Sequence, residues 1–130
     1  MLMTLGLAAM VAGSNPCTNA EASSSAFGWR ECMEDHNERL ELQLEQVWRK
    51  AVRSAEEHDK AKADGYHDEK GQLGRLREAQ VQWHRFREAQ CDVAAYRMFG
   101  GTGAIGIEQS CRAEVTTARI LQLSAFIREN

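Results

Sequence analysis

Apolar residues recur at intervals of three and four along most of the chain. Between about Ser24 and Ala63 they fall at Leu40, Leu44, Val47, Ala51 and Ala55, with Trp48 beside them. Glu38, Glu41, Glu45, Arg49, Lys50 and Arg53 occupy most of the remaining circumference. This near-3.6 period predicts a long amphipathic helix. Gly28 and Trp29 mark an irregular start, because glycine is unfavourable inside a helix. Gly65, in Ala-Asp-Gly-Tyr, supplies a stop. A polar turn of Asp68, Glu69, Lys70 and Gly71 leads to a second helix, about Gln72 to Met98, with an inward stripe of Leu73, Leu76, Ala79, Trp83, Phe86, Gln90, Val93 and Ala94. Phe99 to Gly106 reads FGGTGAIG, and its four glycines predict a loop. A third helix, about Glu108 to Arg128, turns Cys111, Val115, Ala118, Leu121 and Leu123 inward with Phe126 and Ile127. Three amphipathic helices with short connections predict an all-α fold, a small antiparallel three-helix bundle.

A length of 130 residues suits one domain with a real core. Pro16 is the only proline, and strand-favouring Val, Ile and Thr are sparse, which excludes an all-β domain. A net charge of −3 and a pI near 5.8 argue against a nucleic-acid binder, which needs a basic face for the phosphates. Aromatic residues, at 7%, leave little for base stacking.

Residues 1–14, MLMTLGLAAMVAGS, carry no charge. The run Leu2 to Ala12 has the length of a signal-peptide core and is too short to span a bilayer. Ala12 and Ser14 stand at the −3 and −1 positions of a cleavage before Asn15, although the usual basic leader is missing. Residues 1–14 are read as a signal peptide and 15–130 as the helical domain; an ordinary buried first helix is the alternative. Cys17 follows Ser14, Asn15 and Pro16, which does not fit a lipid-attachment motif, so a soluble exported protein without stable membrane insertion is expected. Cys17, Cys32, Cys91 and Cys111 form an even set in a short chain, as expected of a disulfide framework in a periplasmic or secreted protein. Of three possible connectivities, Cys17–Cys32 and Cys91–Cys111 are preferred because each pair brackets a local turn-like segment.

No catalytic constellation is visible. The glycine loop lacks both GxGxxG and the Gly-Lys-Ser/Thr ending of a P-loop, and it follows a helix. His36, His58, His67 and His84 form no HExxH, and Asp64-x-x-His67 straddles Gly65, so neither metal nor another cofactor is expected. Glu41 and Glu45 lie one turn apart within a mixed charged face, and Ser23 to Ser25 show no nucleophile motif. The strongest local feature runs from Leu76 to Cys91. Trp83 and Arg87 are i,i+4 neighbours, so the guanidinium can stack on the indole and donate to Glu41 or Glu45 of the first helix. This cluster reads as core plus a clamp that holds the bundle.

The same segment resembles the N-terminal domain of the lysozyme inhibitor LprI family, marked by Leu-Arg-x-Ala-Gln-x-x-Trp continuing into (Phe/Tyr)-Arg-(Asp/Glu)-x-x-Cys. Here these are Leu76, Arg77, Ala79, Gln80, Trp83, Phe86, Arg87, Glu88 and Cys91. A glycine loop, Cys111, and Thr116 with Arg119 and Leu123 continue the pattern; upstream, Glu41, Leu44, Glu45 and Trp48 stand where the family shows Asp-x-x-Leu-Asn-x-x-Tyr. The resemblance implies a small exported helical domain with disulfides, not an enzyme, in which Trp83, Phe86, Arg87, Glu88 and Arg119 hold the fold. It also implies a protein partner, such as lysozyme or another muramidase. Two loops are candidate contacts, both otherwise plain connectors. The uncharged Phe99–Gly106 segment, with Phe99 and Thr102, can enter a sugar-binding cleft, and the Lys60–Lys70 turn, with His67 and Lys70, can approach an acidic site. The alternative is a cell-envelope interaction module with a different protein partner.

Overall fold

Three helices, α1 (Ala26–Ala61), α2 (Gly71–Tyr96) and α3 (Ala104–Glu129), make up most of the described chain. The computed structural model describes residues 16–18, 26–61, 68–99, 101 and 103–130, and no strand occurs among them. Residues 1–14, read above as a signal peptide, and Asp64, Gly65, His67 and Thr102 lie outside the described residues. The helices form the expected three-helix bundle, in which α3 packs most closely on α1 and then on α2.

On α1 the apolar period is the buried face. Leu40, Leu44, Ala51 and Ala55 are buried, with Val47 and Trp48 packed against them. The helix runs through Gly28 and Trp29 without a break, which corrects the expected irregular start. Gly28 sits in the first turn, where the amides lack helical partners anyway and a glycine disrupts little.

On α2 the observed face differs from the predicted stripe. Leu76, Gln80, Trp83, Arg87 and Cys91 are buried, whereas Ala79, Phe86, Gln90 and Val93 face outward. The helix carries two stripes, and the inner one holds Gln80 and Arg87, two polar residues that a count of apolar positions passes over. On α3, Ala113, Thr116 and Leu123 are buried, and Val115, Phe126 and Ile127 are half-buried as expected. Ala118 and Leu121, read as inward, are exposed, again because a polar residue, Thr116, takes a core position. The predicted loop is shorter than expected, because α3 starts at Ala104 and includes Ile105 and Gly106. Gly106 is there for a close approach. A Cβ at this position would lie 2.6 Å from the Trp29 ring, so the glycine lets α1 and α3 meet.

The start of α2 is fixed from α1. Asp59 accepts hydrogen bonds from the Gln72 and Leu73 amides at 2.8 and 3.1 Å, satisfying donors that a helix start leaves open. Asp68 accepts the Gly71 amide at 2.9 Å and a two-pronged bond from Arg75. Gly71 has φ +61°, and a Cβ there would meet Asp59 Oδ2 at 2.6 Å, so the turn requires glycine twice over.

At the opposite end of the bundle are the two disulfides. Cys17–Cys32 ties a short 3-10 turn, Pro16–Thr18, to α1, and Cys91–Cys111 ties α2 to α3, with Cα–Cα distances of 5.7 and 5.4 Å. The preferred connectivity is thus the one the fold contains.

Candidate functional site

The motif residues converge on Arg87, which is 5% exposed. Its guanidinium lies 4.6 Å from the Trp83 ring centroid, pairs with Glu41 of α1, and donates to Thr116 Oγ1 of α3 at 3.0 Å. One cation therefore joins all three helices, and of the two acceptors considered, Glu41 is the one engaged. Glu45 pairs instead with Arg49, one turn further along α1. Arg119 of α3 donates to Gln80 at 2.9 Å, and its own burial lowers its pKa. Glu88 accepts from Arg112 at 2.8 Å across the α2–α3 seam. Phe86 stands apart from this cluster. It is 55% exposed and does not pack into the core, because the inner stripe passes through Trp83 and Arg87 on the other side of α2.

Beside Glu41 an open groove of about 530 Å³ runs between α1 and α2, lined by Glu38, Glu41, Leu42, Leu44, Glu45, Trp48, Gln80 and His84. Burial, and then the nearby Arg87 guanidinium, hold the His84 imidazole below its ordinary 6.5. With Glu41 and Glu45 committed to arginines, the groove offers no free carboxylate pair for acid–base work. Among the described residues, no three His, Cys, Asp or Glu side chains gather as a metal set.

The described part of the α2–α3 junction is a tip of exposed apolar side chains. Tyr96 and Phe99 stack with ring centroids 5.4 Å apart, and Phe99 is 82% exposed. Met98 and Ile105 are exposed beside them. Backbone bonds from Met98, Phe99 and Gly101 to Ala95, Tyr96 and Met98 close the turn. No charged residue occurs from Met98 to Ile107. The Cys91–Cys111 bridge lies at the foot of this tip.

Lys70 is at the other end of α2, exposed and paired with Glu78. A 26-residue helix separates it from Phe99 by about 39 Å at 1.5 Å per residue, so the two candidate loops do not form one surface. Sequence reasoning missed Asp59 and Arg112. Nothing local marks either residue, since each acts on another helix.

These features define a small disulfide-stapled helical domain organised around a buried cation clamp. The family described as lysozyme inhibitor LprI matches residues 17–123, and the chain belongs to that family. An uncharacterised protein of Rhizobium meliloti (strain 1021) is similar, 27% identical over 96 residues that cover 74% of this chain and 69% of that protein. No solved structure matches the chain. Family and disulfides are consistent with an extracytoplasmic protein, and no helix among the described residues is long and apolar enough to cross a membrane.

Proposed function

We propose that this protein is an exported, non-catalytic inhibitor of lysozyme or a related peptidoglycan-cleaving enzyme, acting by seating its α2–α3 tip in the enzyme's glycan cleft. The observation that carries this reading is the shape and chemistry of the tip. A cleft that threads a sugar chain is blocked by a protruding apolar element, and Phe99, 82% exposed in a run without charge from Met98 to Ile107, offers one. Apolar and aromatic groups supply most binding energy at such anchors. The disulfide beneath limits the entropy lost when the tip is immobilised. The groove beside Glu41 is concave and does not suit insertion. Membership of the family supports an inhibitor, and the buried clamp then serves to hold the tip in place.

The test is protection of peptidoglycan from c-type lysozyme by the oxidised protein. Dose-dependent protection that is lost in Phe99→Asp, with unchanged helical circular dichroism, is the expected result. No protection at large excess rejects c-type lysozyme as the target. Protection that survives Phe99→Asp rejects the tip.

A further inference from the structure

We propose that the outer face of α2 is a self-association surface on which a second copy of this chain packs antiparallel. The residues are Ala79, Gln82, Phe86, Ala89, Val93 and Tyr96, all exposed and spaced alternately three and four apart. That is the spacing of a seam that receives another helix, and here it faces away from both α1 and α3. Phe86, Val93 and Tyr96 are 55%, 67% and 71% exposed, an apolar row of the kind that marks an interaction face. The row extends about 26 Å along the helix, at 1.5 Å per residue.

The sequence of the row favours a second copy. When two such helices run antiparallel about a two-fold axis between Phe86 and Ala89, each aromatic residue of the row is set against an alanine. Tyr96 meets Ala79 of the second copy, Phe86 meets its Ala89, and Val93 meets its Gln82. Arg85, on the flank, then lies beside Asp92 of the second copy, and the two-fold axis makes this pair twice. Neither Arg85 nor Asp92 has a partner among the described residues of its own chain. A parallel arrangement would instead stack Tyr96 on Tyr96 and Phe86 on Phe86, leaving gaps at the alanines. Phe99 lies past the last layer but its ring stacks on Tyr96 of the seam, so F86E, remote from the tip, is the substitution that tests this face.

Sedimentation of the oxidised full-length domain across a concentration series tests the proposal. The expected mass is twice that of the chain. R85D or D92R alone should weaken association about tenfold or more, and R85D/D92R together should restore it. F86E should give a monomer with unchanged helical circular dichroism and the urea midpoint that the unsubstituted protein shows at concentrations where it is dissociated. A monomer at every concentration overturns the proposal. So does a dimer indifferent to F86E, which would use another face. Failure of the double reversal to restore the dimer rejects the antiparallel arrangement, since in a parallel pair the D92R charge would face Arg97 of the second copy. Loss of inhibition in Phe99→Asp at unchanged mass would concern the tip alone, so the two readings fail separately.

Discussion

A buried arginine is a liability unless its charge is answered, and Arg87 is answered unevenly. Its side chain is nearly inaccessible, whereas that of Glu41 is 43% exposed. Arg87 Nε has no hydrogen-bond partner, so the indole face and two acceptors at Nη1 carry the stabilisation. Removing the carboxylate leaves a desolvated cation, while removing the cation leaves a carboxylate that water can reach. Glu41→Ala should therefore destabilise by about 2–3 kcal/mol, below the usual range for a fully buried pair because Glu41 is partly solvated. Arg87→Met combined with Glu41→Ala should recover much of that loss. Urea unfolding of the oxidised proteins checks both, and a double variant no more stable than Glu41→Ala contradicts this account. Gly106→Ala carries a different strain. Its methyl group would overlap the Trp29 ring, and a loss of about 1–3 kcal/mol is expected for overpacking where two helices meet. Thermal unfolding measures it.

At the scale of the element, α2 explains both what the sequence discloses and what it hides. The helix itself, its length and the stacking of Arg87 on Trp83 with a first-helix carboxylate, Glu41 or Glu45, as acceptor are legible, because each depends on i,i+4 spacing and on a cation needing an acceptor; only the structure selects Glu41. The buried face is not. Apolar residues on two sides of α2 satisfy the same period, and only the tertiary contacts of Gln80 and Arg87 decide which side goes in. For the same reason Phe86 and Val93 look like core until α1 and α3 are placed. The Asp59 cap is equally hidden, since the residue belongs to α1 and reaches amides 13 and 14 positions later. Those amides lower the Asp59 pKa, and the Arg75 guanidinium and the Gly71 amide lower that of Asp68. Because both carboxyls are more acidic folded than unfolded, their support is complete above the ordinary value of 3.8 and is lost as the pH falls through the folded values. Asp59→Asn should therefore flatten the acid limb of the stability profile below about pH 4, read as urea midpoints against pH.

At the scale of the whole molecule, the covalent ties are all at one end. Both disulfides, the Trp29–Gly106 contact and the tip lie together, while the Asp59 end has no covalent tie among the described residues and is held by hydrogen bonds, the Asp68–Arg75 and Lys70–Glu78 ion pairs and the packing of Leu73 and Ile127. Cys91→Ser/Cys111→Ser should lower stability by about 2–4 kcal/mol. On the proposed function it should also weaken inhibition more than the remaining folded fraction explains, because the tip loses its foot. Titration against lysozyme at a temperature where the variant is folded separates the two effects. The pairing of the cysteines has a consequence for biogenesis. The first bonds to the second and the third to the fourth, so neither loop encloses another cysteine. A chain that emerges amino end first into an oxidising compartment meets each correct partner before a wrong one becomes available. For such a chain, oxidative refolding with a thiol oxidase and no isomerase is expected to give the native bridges, which disulfide mapping of the refolded protein checks.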